Sequence, residues 1–384
     1  MQTFRFLSAV ALLMVAVWGA SAAAAKKGDC LVYIGTYTRQ DSKGIYCWRM
    51  DAAGKLTPLG LAGETVNPSF LAIHPNRRFL YAVSEVANVG SEKGGAVSAF
   101  AMDRKTGKLT FLNRVSSKGS GPCFVSVDRT GKAVLVANYN SGSVALLPIQ
   151  NDGSLREASA FVQHAGSGGD PRRQKGPHGH SINPSPDNRF AVAADLGLDE
   201  LLVYKLDPVK GTLIPNDPPF TKVDPGAGPR HFDFHPDAKH AYVINEIGNS
   251  ITAFAWDAAR GVLSPLQTVS TLPKDFTGQN SCAQIRVHPS GKFVYGSNRG
   301  HDSIAVFAVD RAKGTLTPLG QTPTGGKEPR NFEIDPTGRY LFAANQNSGS
   351  VVGFRIDPKT GKLTPSGQTL AVTAPVCVKF VEAE

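Results

Sequence analysis

Charged residues that can move protons stand at both ends of one predicted hairpin, the segment GPRHFDFHPDAKHAYVINE at 228–246. Arg230 and His231 precede its first apolar run, Glu246 follows its second, and a His-Pro-Asp turn joins the two runs. A buried strand gains nothing from such groups. A carboxylate, an imidazole and a guanidinium can together move a proton, stabilise an oxyanion or bind an anion. We therefore predict acid–base chemistry at the ends of this hairpin.

Residues of the same types recur at comparable places along the chain. The predicted catalytic residues are His180, Arg230, Glu246 and Arg299, and the predicted substrate-binding residues are His178, His231, Glu85, His301 and Arg330. The sequence has neither a nucleophilic serine motif nor the ligand spacing of a zinc site. We therefore expect general acid–base catalysis without a metal or other cofactor.

A repeat of about fifty residues determines where these residues stand. Turns of the form Pro-x-x-basic recur in HPNRRF at 74, SPDNRF at 185, HPDAKH at 235, HPSGKF at 288 and DPTGRY at 335, with DRTGKA at 128 lacking the proline. Each unit has three apolar runs and a closing Gly-x-Leu element, and four short antiparallel strands per repeat are typical of a propeller blade. A solenoid of similar period would need capping repeats instead.

Six units are complete, and the seventh is divided between the two ends of the chain. Segments beginning at 31, 44 and 54 supply three of its strands, and PVCVKF at 375 supplies the innermost strand. We therefore predict an all-β fold over residues 26–384. It is a seven-bladed β-propeller with four antiparallel strands per blade, and its ring is closed by the C-terminal strand pairing with the N-terminal blade.

The seven copies also serve as an internal control, because a residue type shared by all blades is explained by the fold. The last residue of the second strand is a polar, turn-forming residue in every blade. Two other positions have no common chemistry: Tyr37, Glu85, Tyr139, Leu196, Glu246, Arg299 and Gln346 after the second strand, and Ser69, Cys123, His180, Arg230, Ala283, Arg330 and Val376 at the start of the first.

Hairpin pairing links these two positions. Folding about Pro236 places Arg230 opposite Glu246, so both positions face one end of the central channel, called here the channel mouth. The alternative is that Arg230 and Glu246 form no more than a cross-strand ion pair. His74, His235 and His288 repeat in the turns of the opposite face, and we interpret them as structural. The basic, glycine-rich insert at 164–180 is either a solvated loop or a cover that helps to hold an anion.

The N-terminus predicts export. Arg5, an apolar run and small residues indicate a signal peptide over residues 1–25, with an uncleaved anchor as the alternative. We expect the mature chain in the periplasm or secreted, without a membrane span. The five cysteines are scattered, which indicates buried free thiols, with one adventitious bridge left open.

The net charge of +10 is spread over single lysines in turns. This argues against a nucleic-acid partner and favours a small anionic one.

Several segments together resemble the propeller-type lactonase family. They are YIGTYT at 33, NPSFLAIHP at 67, ANYNSGSVALLPI at 137, GPHGHSINPSPDNRF at 176, GPRHFDFHPDAKHAYVINE at 228, SNRGHDSIAVF at 297 and EPRNFEIDPTGRYLFAANQNSGSV at 328. That family contains seven-bladed 6-phosphogluconolactonases and fungal carboxy-cis,cis-muconate cyclases. The resemblance implies a site at the channel mouth built from His180 or His178 with Arg230, Glu246 and Arg299.

Lactone hydrolysis requires an activated water, a stabilised oxyanion and a proton for the departing alkoxide. Glu246 or His180 would take the water proton, and an arginine would stabilise the oxyanion. Arg230 and Arg299 would also bind a carboxylate or phosphate of a small anionic lactone. The alternatives are a lactonizing cyclase of the carboxymuconate type and a non-catalytic, ligand-binding propeller of the cell envelope.

Overall fold

The computed structural model describes residues 28–89 and 92–384. The predicted signal peptide, residues 1–25, lies outside the described residues. Within the described part all regular structure is β, in seven four-stranded antiparallel sheets and one short hairpin of β6 (Asn88–Val89) and β7 (Glu92–Lys93). This confirms the predicted seven-bladed propeller. In the described ranges, no helix has the length and apolarity needed to cross a membrane.

In each of the first three blades the strands are named in order from the channel outwards. Blade 1 contains β30 (Pro375–Glu382), β1 (Cys30–Thr36), β2 (Gly44–Met50) and β3 (Leu56–Glu64). Blade 2 contains β4 (Leu71–Ile73), β5 (Phe79–Ser84), β8 (Ala96–Met102) and β9 (Leu109–Ser116). Blade 3 contains β10 (Pro122–Val127), β11 (Ala133–Asn138), β12 (Ser143–Pro148) and β13 (Ala160–Gln163).

The remaining four blades have the same order. Blade 4 contains β14 (Gly179–Pro184), β15 (Phe190–Asp195), β16 (Glu200–Asp207) and β17 (Thr212–Lys222). Blade 5 contains β18 (Pro229–Phe234), β19 (His240–Asn245), β20 (Ser250–Asp257) and β21 (Val262–Ser270). Blade 6 contains β22 (Ser281–Val287), β23 (Phe293–Arg299), β24 (Ser303–Val309) and β25 (Leu316–Pro323). Blade 7 contains β26 (Pro329–Ile334), β27 (Tyr340–Asn345), β28 (Ser350–Ile356) and β29 (Leu363–Ala371).

The inner strands form a closed ring around the channel. Each of β4, β10, β14, β18, β22, β26 and β30 contacts the next, and β30 contacts β4. The C-terminal strand β30 pairs antiparallel with β1, from Cys30 opposite Glu382 to Gly35 opposite Cys377. The divided seventh blade is therefore confirmed, and closure leaves the inner ring without a free end.

The core lies between neighbouring blades, which explains the continuous apolar runs of the sequence. Every residue of the second strands β5, β11, β15, β19, β23 and β27 is buried, because both faces of these strands pack against another blade. All five cysteines are buried and free, as predicted. They act as small apolar side chains within the sheets.

The three repeated histidines are structural, as predicted. His74, His235 and His288 each donate from Nε2 to a glycine carbonyl of the next blade, over 3.0, 2.8 and 2.8 Å. In each, Nδ1 accepts the backbone N–H two residues later, over 3.0, 3.2 and 3.1 Å. One ring therefore holds two successive blades together.

The predicted pairing of Arg230 directly opposite Glu246 is wrong in register. Pro229 pairs with Asn245 and His231 with Ile244, so Arg230 lies at a bulge, and the Glu246 N–H donates to Gly228 O over 2.7 Å. Similar register shifts occur at Cys123, His180, Arg330 and Val376. A bulged residue leaves the regular alternation of the strand, which re-aims its side chain. The position that broke the sequence repeat is therefore the bulge position of the inner strands.

Candidate active site

Glu246 lies at the centre of an ion-pair cluster at the channel mouth. Its Oε2 atom is 2.9 Å from Arg230 Nε and 2.8 Å from Arg299 Nη2, and its Oε1 atom is 2.8 Å from Arg173 Nη2. Arg230 Nη1 also donates to Ala283 O over 2.5 Å, and Arg299 Nη2 to Cys282 O over 2.8 Å. Backbone carbonyls of β22 thus fix both buried guanidinium groups against the carboxylate.

Cations dominate the electrostatics of this cluster. Burial alone would raise the pKa of Glu246, but Arg299, Arg230 and Arg173 outweigh burial and hold this pKa well below its ordinary value. Burial and the neighbouring Arg299 and Arg330 lower the pKa of Arg230 to about 9, although Glu246 opposes this. The excess of guanidinium groups therefore explains the shift of Glu246 and adds to the effect of burial on Arg230. Glu246 is consequently ionised and a poor proton acceptor in this state.

His180 is the neutral imidazole of the cluster. It occupies the bulge of β14, its Nε2 atom lies 4.0 Å from Glu246 Oε2, and 3 % of the residue is exposed. Burial, together with Arg230, Arg330 and Arg299, lowers the pKa of His180 well below its ordinary value. The imidazole is therefore uncharged at neutral pH. Its Nδ1 atom is 3.6 Å from Cys123 Sγ.

Arg330 and Glu85 form a second group at the mouth through Tyr37. The Tyr37 hydroxyl donates to both Glu85 carboxylate oxygens over 3.0 Å, and Arg330 lies over the Tyr37 ring at 5.5 Å. Burial alone would lower the pKa of Arg330, but Tyr37, Glu85 and Glu246 raise it, so it is cationic. Among the residues that the structure describes, its guanidinium group makes no hydrogen bond. Its donors are therefore available to a ligand.

Two other predicted histidines, His178 and His301, have different surroundings. His178 stacks on Tyr139 with ring centroids 4.6 Å apart, and its Nδ1 atom bonds to Tyr139 O over 2.9 Å. His301 packs edge-on against Phe276 at 4.9 Å and bonds to Ser303 Oγ over 2.7 Å. Neither contacts Glu246, so the geometry favours His180 over His178 as the histidine of the cluster.

His231 borders the cluster, with its ring centroid 5.2 Å from that of His180, and it also contacts rings from across the channel. Its ring contacts Phe70 and Phe124 edge-on, with centroids 5.4 and 5.2 Å away, and these two phenylalanines stack at 4.3 Å. Blade 5 supplies His231 and blades 2 and 3 supply the phenylalanines, so the contact spans the channel. We call these three rings the aromatic partition.

A cavity of about 390 Å³ lies on the side of the partition away from Glu246. One position of the inner strands contributes Asp233, Arg286, Glu333 and Lys379 to its wall. Glu333 Oε2 is 2.7 Å from Arg286 Nη2 and 3.0 Å from Lys379 Nζ. The cavity contains none of the predicted catalytic residues, and its paired carboxylate provides a structural counterpart to Glu246.

One group of side chains has the spacing of metal ligands. Donor atoms of His235, Asp237 and His240 lie within 4.8 Å of one another on the face opposite the mouth. Both ring nitrogens of His235, however, are already bonded, to Gly291 O and the Asp237 N–H. His74 and His288 make the same bonds, so the blade repeat explains His235 without a metal.

Sequence reasoning did not select three residues that the structure places at the site. Arg173 comes from the insert, here the loop 164–178 between β13 and β14, and contacts Glu246. Tyr37 orients Glu85, and Tyr139 contacts His178, His180 and Arg173. Both tyrosines stand at the variable position that contains Glu246, which was the available signal.

Fold and site together define a propeller with a cluster of arginines, Glu246 and His180 at one channel mouth. The family model for the seven-bladed β-propeller lactonases matches residues 31–380. The chain belongs to this lactonase family.

Named relatives agree with this assignment. A 6-phosphogluconolactonase of Bacillus subtilis is 41% identical over 349 residues, covering 91% of this chain and 97% of the relative. One from Formosa agariphila is 34% identical over 305 residues, covering 78% and 85%. The solved structure of a periplasmic gluconolactonase from Pseudomonas aeruginosa has a TM-score of 0.86 at 34% identity, covering 92% of this chain and 99% of that one.

Proposed function

We propose that the protein hydrolyses small sugar-acid lactones at the channel mouth by general acid–base catalysis. The observation that carries the proposal is the neutral imidazole of His180 beside an ionised carboxylate and open guanidinium donors. The names of the Bacillus, Formosa and Pseudomonas relatives support a lactone as the substrate.

The proposed reaction assigns one role to each group. His180 Nε2 takes a proton from water, which attacks the lactone carbonyl, because its ring is uncharged while the Glu246 carboxylate is held by three arginines. Glu246 stabilises the resulting imidazolium. Arg330 stabilises the tetrahedral oxyanion, and the imidazolium returns its proton to the ring oxygen as the bond to it breaks. Arg230 and Arg299 position Glu246.

The test of this proposal is a substrate panel. Purified protein is incubated with glucono-1,5-lactone, 6-phosphoglucono-1,5-lactone and carboxymuconate, and acid release and ultraviolet absorbance are followed. Acid release above the uncatalysed rate from either sugar lactone is expected. Lactone formation from carboxymuconate alone would indicate the cyclase, and no turnover on the whole panel would indicate a binding protein.

Replacing Arg330 with alanine is expected to lower kcat by about 10²–10³-fold on every accepted lactone, as loss of an oxyanion donor does. The effect should fall on kcat because the oxyanion exists only after attack. Arg39→Ala is the matched control, since Arg39 also lies over the Tyr37 ring, at 5.1 Å, but is exposed. Equal activity of the Arg330→Ala variant and the control would remove Arg330 from the mechanism.

We also propose that the mature protein acts after export, in the periplasm or outside the cell. The signal-peptide pattern of residues 1–25 and the periplasmic relative support this. N-terminal sequencing of protein recovered from the producing cells is expected to begin between residues 23 and 26. A full-length N-terminus would contradict cleavage.

A further inference from the structure

Arg173 differs from the other arginines that bind Glu246. It is contributed by the loop 164–178, not by a blade strand, and 43% of its side chain is exposed, compared with 2% for Arg230 and 7% for Arg299. Its Nη2 atom donates to Glu246 Oε1 over 2.8 Å and to the Tyr139 hydroxyl over 3.3 Å. Arg173 thus covers the oxygen of Glu246 that the two buried arginines leave free.

The backbone that carries Arg173 is firmly held. The next residue, Gln174, is 1% exposed and donates to Leu196 O over 2.7 Å and Asp199 Oδ1 over 2.6 Å. Asp170 Oδ1 accepts the Arg173 N–H over 3.2 Å. The loop therefore presents the Arg173 side chain at a fixed position, and removing that side chain leaves these backbone anchors in place.

An incoming anion can compete with Glu246 for Arg173. The Arg173–Glu246 pair is a single contact open to water on the Arg173 side, whereas a phosphate or carboxylate accepts two parallel hydrogen bonds from one guanidinium. Glu246 does not lose its counter-charges when Arg173 leaves, because Arg230 and Arg299 remain on Oε2. The exchange therefore leaves no buried charge unpaired.

We propose that Arg173 determines specificity for lactones that carry a phosphate or carboxylate substituent: it binds that group and, in doing so, leaves Glu246 Oε1. Once Arg173 no longer neutralises part of the Glu246 charge, Glu246 stabilises the imidazolium of His180 more strongly. An anionic lactone is bound more tightly than a neutral one and also activates the site. This inference rests on the proposed lactonase function.

The kinetic test compares lactones that differ in charge. Glucono-1,5-lactone is neutral, its 6-phosphate carries a phosphate, and glucaric acid lactone carries a carboxylate. In the Arg173→Ala variant, the ratio of kcat/KM for an anionic lactone to kcat/KM for the neutral lactone is expected to fall at least tenfold. A fall for the phosphate alone, or for the carboxylate alone, identifies which anion Arg173 binds.

Arg172→Ala is the matched control. Arg172 is the adjacent arginine, 88% exposed, and lies 3.6 Å from Asp170. Its removal changes the net charge of the loop equally and should change the kcat/KM ratio by less than twofold. Equal losses of activity on neutral and anionic lactones in Arg173→Ala would overturn the proposal, and so would equal ratios in the two variants.

A binding measurement separates this inference from the proposed function. Calorimetric titration with 6-phosphogluconate and with gluconate requires no turnover. The wild-type protein is expected to bind the phosphorylated acid more tightly, and Arg173→Ala is expected to weaken that binding at least tenfold while Arg172→Ala does not. Weakening without hydrolysis of any lactone would support Arg173 and refute the proposed function. Equal binding of the two acids by the wild-type protein would refute the role of Arg173.

Discussion

Replacing Glu246 with glutamine is expected to lower kcat for lactone hydrolysis by about 10²–10³-fold, the range typical of losing one group that stabilises transition-state charge. Glutamine keeps the shape of the side chain but has no charge. The imidazolium formed at His180 would then face Arg230, Arg299 and Arg330 without a nearby carboxylate. The energy of the transition state should rise accordingly, and steady-state kinetics with saturating lactone measures the effect on kcat.

The same substitution should also reduce stability. Removing one partner of a buried ion pair costs about 3–5 kcal/mol, because the remaining charge is left unpaired. Arg230 is 2% exposed and would lose its carboxylate, although Ala283 O would still accept from Nη1. Thermal unfolding followed by circular dichroism should therefore show a lower Tm, and kinetics must be measured well below that temperature.

Glu333→Gln is the matched control for this loss of stability. Glu333 is also a channel carboxylate held by two cations, Arg286 and Lys379, but it lies beyond the aromatic partition. We expect it to lower Tm while kcat stays within about twofold of the wild type, since it contacts none of the site residues. If Glu246→Gln were as active as Glu333→Gln, Glu246 would have no part in the reaction.

Deleting residues 375–384 is expected to unfold the whole propeller rather than shorten it. These residues form β30, the inner strand of blade 1, which pairs with β1 and contacts the inner strands on either side. Val376, Val378 and Val381 are each at most 3% exposed. Burial of such a side chain contributes about 1.5–3 kcal/mol. Three of them together approach the net stability of a domain, about 5–15 kcal/mol.

Circular dichroism and the yield of soluble protein measure this effect. The control removes only Ala383 and Glu384, which follow β30, and should leave a cooperative unfolding transition. Adding a synthetic peptide of residues 375–384 to the longer deletion tests whether the missing strand is the cause. A truncated protein with the wild-type Tm would show that ring closure does not stabilise the fold.

The fold could be predicted because the same blade pattern occurs seven times in the sequence. Turns such as HPSGKF at 288 and DPTGRY at 335 fix the period, and PVCVKF at 375 reveals the divided blade. The cluster of His180, Arg230, Glu246 and Arg299 could be predicted because each residue breaks that period. Register could not be counted from Pro236, because the bulge at Arg230 inserts a residue that simple pairing ignores.

Other site residues lacked such a signal. Arg173 belongs to an insert without a counterpart in the other blades, so the internal control has nothing to compare it with. Tyr37 and Tyr139 stand at the variable position, but their hydroxyls act by orienting Glu85 and contacting Arg173, which only the three-dimensional contacts reveal. The basic composition of the insert was consistent with either a solvated loop or anion binding, and it did not show which residue reaches the mouth.

The aromatic partition leaves the end of the channel that contains Glu246 open on one side only. Phe70, Phe124 and His231 meet across the axis, so we expect that a sugar ring cannot pass from one side of the disc to the other. In the proposed reaction, lactone, water and the released acid would then all pass the same opening, beside the loop that carries Arg173. An acid product that lingers there obstructs the next lactone, so we expect departure of the product to pace turnover once the ring has opened.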